Sequence, residues 1–324
     1  MERAAQIQHT GGPEVIEWTN VQLVEPGPGE VRMRNAAVGL NFIDIYHRSG
    51  LYPMAIPSGL GLEAAGIIEA VGQGVTDWHV GDRVTTFGPN IGAYCTARNV
   101  PADSLFLVPN GISDELAAAG LLKGCTTEFL VERCGKVQPL WDVLVHAAAG
   151  GVGLLLVQWL KHVGARVIGT VSTEEKAALA RAAGADHVIL YGKGDVAQQV
   201  RELTGGKGVE VSFDGVGQET WGTSINATAR RGLIVSYGNA SGPVSGVNLA
   251  LLAQKGSLYV SRPTLSDYYN NAAERTAGAE YVFDMFAQGI IEMTIGQRYA
   301  LEDAAQAHRD LEARQTIGSS VLIP

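Results

Sequence analysis

The chain has 324 residues, enough for about two domains at roughly 150 residues each. It is 46% hydrophobic and 18% charged, the balance of a folded protein rather than a disordered one. With 24 Lys and Arg against 33 Asp and Glu the net charge is −9, and no basic run exceeds Arg230-Arg231, so no nucleic-acid partner is expected.

The start, Met1 to Gly12, lacks the apolar core of a secretory signal. Cys95, Cys125 and Cys134 are too few and too irregularly spaced for a disulfide framework or a CxxC-type zinc site. Both features lead us to expect a reducing, cytoplasmic location. Over residues 1–123 the apolar runs are short. Turn formers interrupt them at Thr10-Gly11-Gly12-Pro13, Glu25-Pro26-Gly27-Pro28-Gly29, Val71-Gly72-Gln73-Gly74 and Val80-Gly81-Asp82-Arg83-Val84. That punctuation predicts a β-rich, barrel-like domain.

Residues 124–264 change character. Strand-like runs fall at Asp142–His146, Arg166–Val171, His187–Leu190, Val209–Phe213, Leu233–Tyr237 and Ser257–Val260. Helix-like runs fall between them at Leu154–Val163, Glu174–Ala183 and Val196–Leu203, with Gly164 and Gly184 where C-caps belong. This alternation predicts an α/β fold, a doubly wound parallel sheet of about six strands. The uncharged stretch from Val143 to Leu160 reaches the length of a membrane span. Its central glycines favour strand, turn and helix instead, so no membrane partner is expected. Residues 265–324 turn helical at Asn271–Gln288 and end in a strand, Ser319–Ile323. If that last segment returns to the first domain, the dinucleotide-binding domain is an insertion within it.

The 41 glycines have no fixed period, which excludes collagen and repeat arrays. Their most informative cluster is Ala147-Ala148-Ala149-Gly150-Gly151-Val152-Gly153, after a strand and at the start of a helix. Small residues there let the backbone approach a pyrophosphate, whose charge then sits on free N–H groups at the helix N-terminus. Read as GxGxxG, Ala148 replaces the first glycine, while Gly150 and Gly153 remain. A tight strand–helix junction would select the same residues.

The second strand ends in Gly169-Thr170-Val171-Ser172, with no acid to bond a ribose 2′-hydroxyl. Lys176 can pair with a 2′-phosphate and Ser172 can donate to it, so NADPH is favoured over NADH. Ser172-Thr173-Glu174-Glu175 also reads as a capping box in which Ser172 simply caps the next helix. Glu174 and Glu175 count against NADPH unless they point away. Tyr191, after the third strand, either meets the adenine ribose end or is a half-exposed strand-end tyrosine.

Asn41-Phe42-Ile43-Asp44, Arg48-Ser49-Gly50-Leu51-Tyr52-Pro53, Gly59-Leu60-Gly61-Leu62-Glu63-Ala64-Ala65-Gly66 and the Ala147–Gly153 turn occur in this order. So do Ser236-Tyr237-Gly238-Asn239, Gln254-Lys255-Gly256-Ser257-Leu258-Tyr259, Arg262-Pro263 and Gly318-Ser319-Ser320-Val321-Leu322-Ile323-Pro324. Together they resemble the quinone oxidoreductases, the zeta-crystallin-like, zinc-free branch of the medium-chain dehydrogenase/reductase superfamily. The resemblance spans essentially the whole chain. It implies a GroES-like catalytic domain, an inserted Rossmann domain, NADPH and a homodimer. It also implies cofactor contacts at Val216, Tyr237, Gly238, Asn239 and Arg262.

Zinc alcohol dehydrogenases carry a Cys ligand where this chain has Asn41, and Gly-His-Glu where it has Gly61-Leu62-Glu63. Tetrahedral zinc needs converging Cys, His or carboxylate ligands, so no metal is expected. His146 is read as a hydrogen-bonded core residue. Without a Lewis acid, alcohol oxidation is disfavoured. A quinone accepts hydride readily and delocalises the charge, so the protein has mainly to hold the nicotinamide C4 against it. The expected activity is therefore NADPH-dependent quinone reduction. Asn41 and Tyr46 are expected to border both nicotinamide and acceptor, and Tyr52 to close the pocket or donate to a quinone oxygen. Tyr46 and Tyr52 are alternatively packing aromatics. The competing functions are an enone or alkenal double-bond reductase and a non-catalytic NADPH- or RNA-binding protein. The apolar run Ser257–Val260, holding Leu258, is expected to be an edge strand through which the cofactor domain dimerises.

Overall fold

The computed structural model describes residues 1–88 and 90–324. In chain order it runs β1 (Glu2–Ile7), β2 (Glu17–Val21), β3 (Glu30–Leu40), α1 (Phe42–Ser49), β4 (Ser58–Gly59), β5 (Glu63–Val71), β6 (Arg83–Phe87), β7 (Ala97–Pro101), β8 (Leu105–Leu107) and α2 (Asp114–Glu128). A π-helical stretch, Phe129–Gly135, extends α2. Then come β9 (Asp142–Val145), α3 (Gly151–Val163), β10 (Arg166–Val171), α4 (Glu174–Ala182), β11 (His187–Leu190), α5 (Val196–Leu203), β12 (Val209–Asp214), α6 (Trp221–Ala227), β13 (Thr228–Ser236), α7 (Leu249–Gln254) and β14 (Tyr259–Ser261). The chain finishes with α8 (Leu265–Tyr268), α9 (Ala272–Ala287), β15 (Ile295–Ala300), α10 (Ala304–Glu312) and β16 (Ser319–Ile323).

Two compact units result. The first comprises Met1–Leu122, Ala279–Ala287 and Met293–Pro324; the second comprises Lys123–Gly278 and Gln288–Glu292. In the first unit one sheet has the order β2-β1-β4, and a seven-stranded sheet runs β15-β16-β3-β5-β6-β8 with β7 also pairing β3. The C-terminal strand β16 lies antiparallel to β3, with Ser320 opposite Leu40. Alternation along β3 turns Val31 and Met33 into a core shared with Ile7, Leu60, Ile68 and Leu322.

The second unit holds a six-stranded sheet of order β11-β10-β9-β12-β13-β14, every neighbouring pair parallel. The strand order reverses between β9 and β12, which makes that junction the switch point of a doubly wound sheet. All four β9 residues are buried, as expected of a central strand covered on both faces.

Two sequence expectations shift. The domain boundary expected at 264 falls later, because residues 265–278 cluster with the second unit. Tyr268 stacks on Phe129 at 4.6 Å, and Tyr269 donates to Glu128 Oε2 at 2.6 Å, which ties the segment there. The last strand of the sheet begins at Tyr259 rather than Ser257, and Leu258 is buried with Ile225 and Ile234. Leu258 is therefore a core residue; the exposed edge carries Tyr259 and Val260.

Candidate functional site

Strand β9 ends at Val145 and the chain turns through Ala147, a non-glycine residue with φ +51°, before α3 begins. Ala148 N–H donates to Thr170 O at 3.0 Å, which ties the turn to β10. A Cβ on Gly153 would lie 2.2 Å from Ala147 O, so the helix approaches its own turn as only glycine permits. Gly150 is the N-cap of α3 and no side chain bonds there. The first-turn N–H groups of Gly151, Val152 and Gly153 thus face outward from a helix N-terminus without a side-chain cap, as a pyrophosphate requires. This cradle fits a dinucleotide.

The other expected cofactor residues in this unit all follow the carboxyl ends of parallel strands. Ser172 and Lys176 follow β10, Tyr191 follows β11, Val216 follows β12, Tyr237, Gly238 and Asn239 follow β13, and Arg262 follows β14. A Cβ on Gly238 would lie 2.3 Å from Gly215 O, so the ends of β12 and β13 meet backbone to backbone. Asp214 organises the β12 end. Its carboxylate accepts from Val216 N–H at 3.0 Å, Gly217 N–H at 2.9 Å and the Thr220 and Ser224 hydroxyls at 2.7 Å each.

Three local details refine the sequence reading. First, α4 is capped by Thr173, not Ser172: Thr173 is extended and its Oγ1 accepts from Lys176 N–H at 3.2 Å. The capping-box reading of Ser172 is therefore corrected, and Ser172 sits exposed just beyond β10. Second, Glu174 is held by Lys193 at 3.1 Å and lies 4.0 Å from Arg181, so its charge is matched by cations beside the helix start. Third, the Tyr191 hydroxyl turns inward, 2.6 Å from Thr170 Oγ1 and 3.1 Å from His146 Nδ1. His146 is fully buried, and its Nε2 lies 3.1 Å from Ser224 Oγ. Ser224 gives its hydroxyl hydrogen to Asp214, so its oxygen accepts from His146 Nε2–H and leaves Nδ1 as the acceptor. Burial lowers the His146 pKa despite the Asp214 charge, which agrees with a neutral ring.

In the first unit α1 carries the expected reaction residues. Asn41 is its N-cap; its backbone N–H donates to Asp44 Oδ2 at 2.9 Å, and its Nδ2 donates to the buried Glu63 at 2.9 Å. Glu63 also accepts from Leu122 N–H at 2.6 Å. The former ligand positions of the zinc enzymes are thus a hydrogen-bonded amide (Asn41) and a leucine (Leu62). Among the described residues no group of three or more His, Cys, Asp or Glu comes together as a metal site. Tyr46 is buried, its ring 5.1 Å from that of Tyr52, and Tyr52 N–H donates to Tyr46 O at 3.0 Å. The two tyrosines are packed on one another.

Sequence reasoning did not single out Tyr94, His308 and Glu312, which join Arg48 and Asp44 beneath α1. Tyr94 and His308 are 214 residues apart, and no local pattern announces such a contact.

Residues 27–140 match the alcohol dehydrogenase GroES-like domain family, and residues 151–276 match the zinc-binding dehydrogenase family. The chain is 51% identical over 325 residues to a quinone oxidoreductase of Pseudomonas aeruginosa, covering 100% of both chains. It is 45% identical to a 2-haloacrylate reductase of a Burkholderia species, covering 100% of this chain and 99% of that one. The crystal structure of Escherichia coli quinone oxidoreductase complexed with NADPH superposes with a TM-score of 0.97 at 46% identity, covering 99% and 100% of the two chains.

Proposed function

The chain belongs to the quinone oxidoreductase family of the medium-chain dehydrogenases and reductases, and from this premise we propose how its residues divide the work. It is an oxidoreductase that takes reducing equivalents from NADPH and delivers them to a quinone. NADPH, when bound, supplies the hydride at its nicotinamide C4. The turn of Ala148, Gly150, Gly151, Val152 and Gly153 holds the pyrophosphate. Ser172 and Lys176 bind the 2′-phosphate, and Tyr191 offers the adenine end its ring rather than its inward-turned hydroxyl. Val216, Tyr237, Gly238, Asn239 and Arg262 line the remaining strand ends. Asn41 and Tyr46 orient the reacting groups, and Tyr52 walls the acceptor pocket against water.

The observation that carries this reading is the uncapped glycine turn at the switch point, with every expected cofactor residue of that unit at the same end of one parallel sheet. The direct test is NADPH oxidation with a panel of o- and p-quinones, run in parallel with NADH. Rapid turnover with NADPH and a quinone is expected; turnover with NADH alone would refute the cofactor assignment. A conjugated acid or enone belongs on the same panel, because a relative carries the name 2-haloacrylate reductase. A higher kcat/KM on the activated double bond than on any quinone would move the assignment to double-bond reduction.

Metal independence follows from Asn41 and Leu62. Exhaustive chelation should leave the rate unchanged, and elemental analysis should find far less than one zinc per chain. Stoichiometric zinc with chelator-sensitive turnover would refute it. A cytoplasmic setting accords with Cys95 and Cys125, buried as free thiols. No helix among the described residues is long and apolar enough to cross a membrane.

The dimer is proposed through β14. This strand ends the sheet, and Tyr259 and Val260 are 63% and 40% exposed on it. Two copies related by a two-fold axis can pair such edges antiparallel. Val260→Asp would set like charges against each other across that axis. Light scattering should give about two chain masses for the wild type and about one for the variant. The substitution is placed at Val260 because Leu258 lies in the core, where its N–H bonds Leu252 O at 3.1 Å. A Val260→Asp protein that stays dimeric would place the interface elsewhere.

A further inference from the structure

Helix α1 is held from below by a chain of polar groups, buried except at its Glu312 end, that the reaction itself does not use. Arg48, 1% exposed, donates from Nη1 and Nη2 to both carboxylate oxygens of Glu312 at 3.0 and 2.7 Å and from Nε to Gly11 O at 3.1 Å. Its Nη1 also lies 3.1 Å from His308 Nδ1. His308 Nε2 is 2.9 Å from the Tyr94 hydroxyl, and that hydroxyl donates to Asp44 Oδ2 at 3.0 Å. The same Asp44 oxygen accepts the Asn41 N–H.

The direction of every bond is fixed by chemistry. A guanidinium can only donate, so His308 Nδ1 must accept. The proton of the neutral ring is then on Nε2 and is given to Tyr94, whose own hydrogen remains for Asp44. Burial and the Arg48 charge push His308 down to about 3, so the ring stays neutral at working pH. Burial and the Asp44 carboxylate push Tyr94 well up, so the phenol keeps its hydrogen. Neither group is poised to exchange protons with a substrate. The arrangement is rigid and one-way.

We infer that Arg48, Tyr94, His308 and Glu312 are positioning residues for quinone reduction: they lock Asp44, and through it the Asn41 end of α1, in the geometry the reaction needs. The inference rests on the reading that Asn41 works at the reacting centre. It also gives the C-terminal return of the chain a functional role, because α10 supplies two of the four residues. The pyrophosphate cradle belongs to other elements, so the lock should affect kcat far more than cofactor affinity.

Tyr94→Phe removes one oxygen and cuts the chain on both sides. Asp44 then keeps Asn41 N–H but loses its phenol donor. The charged and titratable groups linked to it are Tyr94 directly, Glu63 through Asn41, and His308, Arg48 and Glu312 in turn through Tyr94. Loss of a donor raises the carboxyl pKa. Protonation then weakens the hold on Asn41 as pH falls, so activity is retained at high pH and lost towards low pH.

The expected result is a kcat about 10-fold lower at neutral pH, an acid limb absent from the wild type, and an NADPH dissociation constant within about twofold of wild type. A merely structural role would lower thermal stability without creating the acid limb. Asn41→Ala is measured beside it. Impaired Asn41→Ala with a Tyr94→Phe enzyme that keeps wild-type kcat and pH profile overturns the lock and leaves the reading of Asn41 standing. Unimpaired Asn41→Ala overturns that reading, and the lock with it. Should Tyr94→Phe fail to fold, Glu312→Gln, at a partly exposed site, is held to the same criteria: a lower kcat at unchanged NADPH affinity supports the lock, and an unchanged kcat overturns it.

Discussion

Gly153→Ala is expected to abolish NADPH-supported quinone reduction at ordinary cofactor concentrations. The added Cβ would lie 2.2 Å from Ala147 O and 3.0 Å from the carbonyl carbons of Ala147 and Ala148. All three are backbone atoms, so no side chain can rotate away. Either α3 lifts from the turn or the turn opens, and both displace the N–H groups meant for the pyrophosphate. Overpacking of this kind costs about 1–3 kcal/mol of stability. Disturbing several charge-assisted contacts together should weaken NADPH binding by at least about 100-fold, which is about 2.7 kcal/mol. Fluorescence titration measures the affinity, and thermal unfolding measures the stability. Gly222→Ala is the internal control: it lies inside α6, nothing stands within 4 Å of its added Cβ, and it should bind NADPH normally. Binding of NADPH to Gly153→Ala within threefold of wild type would remove the turn from the cofactor site.

What the sequence made legible was the part governed by local rules. β10 and β11 fall where apolar runs between glycine turns put them, and α3 stops at Gly164, whose φ of 88° only glycine adopts easily. The cradle was legible for the same reason, since small residues between a strand and a helix are a local signal. α6 and α7 were not anticipated. Trp221–Ala227 contains Gly222 and two β-branched residues and lacks a bonded N-cap, so packing against β12 and β13 rather than propensity makes it helical. α7 is six residues long, too short to show a period. Leu258 looked like an edge residue because periodicity does not say which apolar run covers which face. Thr173 took the cap from Ser172 because the backbone, extended at Thr173, turns helical one residue later than the capping-box pattern suggested. The network under α1 joins residues 44, 48, 94, 308 and 312, whose meeting is a property of the tertiary fold alone.

Lys176→Ala should convert a strong preference for NADPH into a weak one. The end of β10 offers the ribose no acid, and Ser172 stands exposed there with Lys176 in the first turn of α4. The Lys176 backbone is fixed by its bond to Thr173 Oγ1, so the side chain starts from a defined point on the helix. Glu174, one of the two acids in the first turn of α4, is matched by Lys193 and Arg181. A contact between an ammonium and a phosphate is worth about 1.5–3 kcal/mol, or about 10- to 150-fold in affinity. NADH lacks the phosphate, so its dissociation constant should stay within about twofold. The loss should shrink at high salt, because the site opens to solvent and the contact is screened. Glu174→Gln should act in the opposite direction, freeing Lys193 and tightening NADPH slightly. Parallel titrations of both cofactors at low and high salt decide the matter. Equal weakening of NADPH and NADH by Lys176→Ala would mean that the lysine supports the helix and not the phosphate, and equal wild-type affinities would mean that the strand end selects neither cofactor.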